Sequence, residues 1–270
     1  MLDTIKKEWT AKIALIFFGL VSIWWNILFL SGVKETFQNY LFGATYGLIC
    51  IWGGVLGLII ASKWGGFSST IGRALIILSL GLLTQEFGQL VFSYYNIFLH
   101  IEIPYPSLAD IGFFGTIPFY IVGMLLLAKA AGAKFSLNTF INQLQALLIP
   151  VAMLIFSFTL FLNNYHIDFT QPLKTFLDFG YPLGEALYVS IAILTYSLSR
   201  KFLGGLMRTK ILFFIVAFII EYIADFNFLW QNNQGTWVNG GYGDYLYFLS
   251  YFIMALSIIQ MKTVLERLNT

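Results

Sequence analysis

Eight apolar stretches, each about as long as a helix that crosses a bilayer, occupy most of this chain. They cover residues 13–31, 41–62, 72–98, 111–131, 144–162, 179–199, 210–230 and 245–261. A hydrocarbon core about 30 Å thick takes about 20 apolar residues in helical form. In lipid the backbone must satisfy its own hydrogen bonds, so stretches of this length are helices. The short alternating strands of a membrane barrel are missing from the pattern. The expected fold is an all-α integral membrane protein with eight transmembrane helices. Composition agrees, because only 10% of the 270 residues are charged, where a soluble domain carries about 25%. Lys6, Lys7 and Lys12 before the run from Ile13 imitate a signal peptide. That run continues to about Leu30 with no small-residue cleavage site, so it reads as a retained first span.

The basic residues between the stretches set an expected orientation. Lys6, Lys7, Lys12, Lys63, Arg73, Lys129, Lys134, Arg200, Lys201, Arg208, Lys210, Lys262 and Arg267 fall on one side, and Lys34 and Lys174 on the other. Cytoplasmic connections carry the excess of Lys and Arg. This places both termini in the cytoplasm of a cell-membrane protein, with the connections near 32–40, 99–110, 163–178 and 231–244 facing outward. No basic cluster suits nucleic acid, so the expected surroundings are lipid bilayer.

A weak internal repeat is also legible. In the first half an outgoing helix carries Gln85-Glu86-Phe87-Gly88-Gln89, an aromatic loop follows, and an ingoing helix opens at Asp110. In the second half Glu221-Tyr222-Ile223-Ala224-Asp225 is followed by an aromatic loop and a helix opening at Asp244. Each half has four helices, an even number, so the halves share one orientation, as in a parallel repeat. The chain reads as one membrane domain over 1–270. Repeat one spans about 1–135, repeat two about 140–270, and the linker lies around Gly132–Asn142.

The candidate site follows from the acids. Glu86 and Glu221 fall near mid-span, Asp225 one turn further out, and Glu185 about two turns below the outer end of its helix. Asp110, Asp178 and Asp244 open helices at the outer surface. No Lys or Arg lies in the outer half of any span. A charge at the bilayer centre costs at least about 2.5–3.5 kcal/mol, so these acids need a shared interior, water or protonation. Helical spacing groups Glu86, Gln89 and Ser93 on one face, Glu221 and Asp225 on another, and Tyr181, Glu185 and Tyr188 on a third. Asp244, Tyr247 and Tyr251 form a fourth. If the faces converge, they enclose an acidic, tyrosine-lined vestibule open to the outside. Carboxylates and aromatic faces together suit a small cationic ligand.

Plainer readings compete. Ser107 and Asp110 have capping-box spacing, and Asp110 and Asp244 sit where a helix dipole favours an anion. Glu86, Glu185 and Glu221 can serve as neutral hydrogen-bonding groups between helices. Gly43, Gly47, Cys50, Gly54 and Gly57 read as a packing stripe, and Trp24, Trp25, Trp230 and Trp237 as interfacial anchors. His100 and His166 are too few for a three-histidine zinc site or paired haem ligation. No mid-span Lys suits a retinal Schiff base, and no nucleophile triad or phosphate loop appears. Nothing here identifies an enzyme, a metal or a cofactor.

The segment Tyr105-Pro106-Ser107-Leu108-Ala109-Asp110-Ile111-Gly112-Phe113-Phe114 resembles a P-S-x-A-D-aromatic stretch. That stretch belongs to the multi-pass sensory domains N-terminal to bacterial diguanylate cyclases and phosphodiesterases. Tyr181-Pro182-Leu183-Gly184-Glu185 is similar to that family's Y-P-L-[GS]-D, with Glu for Asp. Ala224-Asp225 and Asp244 match the acids of its final helix pair. The family tends to have an acid where this chain has Gly88-Gln89. Those relatives continue into a cytoplasmic enzymatic domain, whereas this sequence ends after the eighth stretch. The resemblance therefore implies a sensory or ligand-binding module signalling through a separate cytoplasmic partner. The rival readings are a small transporter or channel for a cation or protonated solute and, third, a lipid-modifying enzyme. The apolar inner segments Ala74–Leu78 and Ile211–Ile215 favour the sensor, since a carrier needs a polar path through both halves.

Overall fold

A computed structural model describes residues 2–132, 137–163, 165, 167–198 and 206–268. His166, Lys134, Arg200, Lys201 and part of the expected linker lie outside the described residues. Every regular element among the described residues is helical. Eight helices are long and apolar enough to cross a membrane: span 1 Trp9–Ser31, span 2 Phe37–Lys63, span 3 Thr70–Leu99, span 4 Ala109–Ala130, span 5 Phe140–Leu162, span 6 Pro172–Leu198, span 7 Lys210–Asn232 and span 8 Tyr242–Leu268. We call the end that carries both termini proximal and the opposite end distal.

Local chemistry sets the ends of these helices. Span 1 stops at Gly32, whose φ of 67° lets its N–H turn back to the Phe29 carbonyl. Span 2 opens with a capping box between Thr36 and Asn39 and is broken at Gly47 into Phe37–Tyr46 and Leu48–Lys63. Span 3 is capped by Ser69, whose hydroxyl oxygen accepts from the Gly72 N–H at 2.8 Å. Span 6 begins at Pro172, where a missing N–H costs nothing. It starts about two turns earlier than its apolar stretch. Just ahead of it, the Asp168 carboxylate accepts from the Thr170 hydroxyl at 2.6 Å and N–H at 2.9 Å. Those bonds hold Asp168 below the usual carboxylate range.

Six spans close a ring in which 8 packs on 2, 2 on 3, 3 on 4, 4 on 6, 6 on 7, and 7 on 8. Span 1 lies outside against spans 8 and 2, and span 5 outside against span 6. Span 8 is the most enclosed: 78% of its apolar window is buried, against 17% for span 1 and 6% for span 5. Advancing every ring member by four spans returns the same set of neighbours.

Small residues make the ring close. A Cβ at Gly53 would stand 2.5 Å from the Ala255 Cβ, and one at Gly57 would stand 2.1 Å from the Ser79 hydroxyl. Span 2 is thereby wedged between spans 3 and 8. The proximal interior is apolar, with Leu75, Leu78, Met124, Leu127, Ile211, Phe214 and Ile258 all fully buried. Ser79, Thr195 and Ser257 there donate to carbonyls of their own helices at 2.6–2.7 Å. At the proximal surface Lys262 pairs with Glu8 at 2.5 Å, tying span 8 to the start of the chain.

Candidate functional site

The acids of the distal half are held by tyrosines. Tyr181 donates to Asp110 at 2.8 Å, Tyr46 to Asp244 at 3.1 Å and Tyr247 to Asp225 at 2.5 Å. At the distal rim Asp178 accepts from Tyr105 at 2.8 Å and Tyr165 at 2.6 Å. Burial first, then Asp178, raises the Tyr105 phenol above its usual range, and the Asp178 bond does the same for Tyr165. A phenol supplies a strong donor without a second charge, which suits a carboxylate that has no cation beside it.

Asp110 and Asp244 each divide their oxygens between two tasks. Asp110 Oδ2 accepts from the Ser107 N–H at 2.7 Å at the start of span 4, and its Oδ1 faces Tyr181 of span 6. Asp244 Oδ2 accepts from the Gly240 N–H at 2.6 Å at the start of span 8, and its Oδ1 faces Tyr46 of span 2. Six residues on, the likeness recurs. Thr116 donates to Gln85 at 2.9 Å and approaches the Gly81 carbonyl at 3.4 Å. Ser250 donates to the Ala217 carbonyl at 2.9 Å and approaches Glu221 at 3.4 Å. Gly81 and Ala217 stand one turn before Gln85 and Glu221 respectively. Capping and interior contact are thus both present at Asp110 and Asp244. The box at Asp110 is only half formed, because the Ser107 hydroxyl accepts from the Ala109 N–H, one residue earlier than a box requires.

Near the middle of the bundle the acids lack donors. Glu86 is 2% exposed and neither carboxylate oxygen has a hydrogen-bond partner. Its carboxyl fills the notch at Gly47, where a Cβ would stand 2.1 Å from Oε2. Glu221 has only the long contact from Ser250, and Glu185 Oε2 has no partner. Cys50, fully buried, lies within electrostatic range of both Glu86 and Glu221. Glu185 and Asp225 are close enough to hydrogen-bond, which requires a proton or a cation between them.

Several expectations change. The expected open vestibule is closed in this structure: Asp110 is 9% exposed, and Glu185, Glu221 and Asp244 are 4% each. Asp225, Tyr181 and Tyr247 keep partial exposure. Because span 6 starts at Pro172, Asp178 lies in its second turn and does not open the helix. Glu185 lies about 20 Å along that helix, near its middle. Tyr188 is buried in the core near the middle of the bundle. Its ring packs against Tyr120 and Phe218, centroids 5.7 and 4.7 Å away, with its phenol within electrostatic range of Glu185, Glu221 and Asp225. Trp25 is no interfacial anchor: it stacks on Tyr245 at 4.2 Å and donates to the Gly241 carbonyl. Trp237 is drawn in likewise, its indole N–H buried and its ring edge-on to Phe228.

Tyr46, Gln85, Thr116 and Ser250 join the site without having been singled out by the acids, and Tyr251, expected on the Asp244 face, meets Gln85 there. Gln85 bridges two spans, accepting from Thr116 and donating to the Tyr251 hydroxyl. Gln89 accepts from Tyr46 at 3.2 Å and donates to the Gly43 carbonyl at 2.8 Å. The signal for Tyr46 was the repeat itself, since it holds Asp244 as Tyr181 holds Asp110. Among the described residues no group of three or more His, Cys, Asp and Glu side chains is arranged to hold a metal ion. Comparison with protein-family models, curated proteins and solved structures gives no match.

Proposed function

We propose that this membrane protein is a sensory or ligand-binding module, built of two parallel four-span repeats, that takes a small cation from outside the cell. The observation that carries this reading is the uneven interior. Carboxyls and phenols crowd its middle and distal parts, whereas the proximal half, apart from Gln260 and a few hydroxyls, is packed with buried aliphatic and aromatic side chains. A site of that shape receives a ligand from one side. It changes helix packing when filled, and this can be read by a separate partner at the cytoplasmic surface. The likeness of the Tyr105–Phe114 and Tyr181–Glu185 segments to bacterial sensory domains favours the same reading. The basic connections favour the orientation, with the distal end outside and both termini in the cytoplasm.

A carrier for a cation or protonated solute is the second reading. The unpartnered mid-span Glu86 favours it, because such groups mark ion and proton routes.

The test is thermal unfolding of the purified protein against panels of cationic, anionic and neutral small molecules. Cations should stabilise it, and Asp225→Asn should remove most of the effect while exposed Glu102→Gln preserves it. Stabilisation by anions or apolar compounds alone would leave the acids as structural groups. Uptake of the stabilising cation by proteoliposomes would select the carrier.

A further inference from the structure

We propose that the ligand site lies in the second half alone, where Glu185 and Asp225 hold a small primary ammonium ion between spans 6, 7 and 8. The matching positions in the first half, Cys50 and Gln89, are neutral, and the acid of that half, Glu86, stands where the second half has Tyr222. This rests on the reading of an external cation as ligand, and it gives that cation a place and a chemistry.

The two halves carry the same framework with different charge. Gln85 and Gln89 of span 3 stand where span 7 has Glu221 and Asp225. Cys50 follows Tyr46 by four residues, as Glu185 follows Tyr181. In the first half the amides bring their own donors. Gln89 uses its N–H on the Gly43 carbonyl and its oxygen on Tyr46, and Gln85 does the same between Tyr251 and Thr116. A carboxylate has acceptors only. In the second half that shortfall is visible: Glu185 Oε2 is buried, 4% of the residue is exposed, and no donor reaches it. The Tyr222 hydroxyl is also buried and lies within electrostatic range of Glu185. Buried polar groups of this kind are normally satisfied, so the place calls for something absent from the chain.

The missing group must donate hydrogen bonds, carry positive charge and be small. A primary ammonium ion has three N–H donors, enough for Glu185 and Asp225 together. A quaternary ammonium has none. Among the described residues no third His, Cys, Asp or Glu is arranged with them to hold a metal ion. Access is from the distal end, where Asp225 is partly exposed alongside Tyr181 and Tyr247.

The experiment is thermal unfolding of the purified full chain at constant ionic strength, with methylammonium, tetramethylammonium or sodium as chloride salts. Methylammonium should raise the unfolding temperature of the wild type, and the other two should not. Glu185→Gln and Asp225→Asn should each weaken the apparent affinity for methylammonium at least about tenfold, the loss of one charge-assisted bond. Glu86→Gln, in the other half, should leave it unchanged. If Glu185→Gln fails to fold, Asp225→Asn and Tyr247→Phe carry the comparison. Equal stabilisation by tetramethylammonium would overturn the donor argument. Loss of the effect in Glu86→Gln with retention in Asp225→Asn would put the site in the wrong half. Both results leave the external-cation reading standing, whereas a wild type unmoved by every cation tried would remove that reading too.

Discussion

Tyr46 touches two spans with one hydroxyl, lying 3.1 Å from Asp244 and 3.2 Å from Gln89. Both partners are buried, so removing the hydroxyl exposes neither of them to water. Tyr46→Phe should therefore destabilise the protein by about 1–2 kcal/mol, a buried acceptor's loss tempered by the modest worth of polar contacts in membranes. Tyr245→Phe should cost less, because its hydroxyl meets only Ser22 in a half-buried contact at 3.2 Å. Denaturation of the two variants in one detergent decides the point. Equal loss would mean that the Gly240 N–H alone holds Asp244. At this scale the acids were legible because a carboxyl in mid-span is costly anywhere. Their tyrosine partners were not, since fifteen tyrosines are present and nothing in the local sequence says which of them turns inward.

The helices themselves were legible from length and apolar content, but their meeting points were not. The glycine stripe of span 2 drew notice because it repeats along one face, and it does pack against spans 3 and 8. The closest approach between spans 3 and 4 rests instead on isolated glycines. A Cβ on Gly112 would stand 2.3 Å from the Gly88 nitrogen and 2.5 Å from the Thr84 carbonyl oxygen. Backbone cannot step aside as a side-chain end can. Gly112→Ala should push spans 3 and 4 apart at a cost of about 1–3 kcal/mol. Gly115→Ala, three residues on with open space around it, should be neutral. Unfolding temperatures of the pair measure this directly, and a Gly112→Ala protein as stable as wild type would show that the two helices slide freely. Span 6 was misplaced at its start for a different reason. Lys174 and Asp178 dilute the apolar pattern there, so the helix runs beyond the stretch that hydropathy marks.

The order of the ring is a property of the whole molecule that no single segment states. Spans 2, 3, 4, 6, 7 and 8 close it, and the pairs Asp110–Tyr181 and Asp244–Tyr46 occupy matching joints, between spans 4 and 6 and between spans 8 and 2. That correspondence supports the parallel repeat proposed here, because an unrelated second half would have no reason to repeat both a joint and its hydrogen bond. Outside the ring the match is looser, since span 1 reaches span 8 while span 5 rests on span 6. The ring also makes orientation decisive for function. If the distal end faced the cytoplasm, the tyrosine-held acids would sample an internal ligand and the sensory reading would reverse. Cys50 is buried, so a new surface cysteine can be labelled against a quiet background. Gln234→Cys, on the exposed distal loop between spans 7 and 8, should react with an impermeant thiol reagent in intact cells. Phe67→Cys, on the proximal loop between spans 2 and 3 and 77% exposed, should react only after the membrane is opened. The reverse pattern would turn the bundle over and place the carboxyl-rich half on the cytoplasmic side.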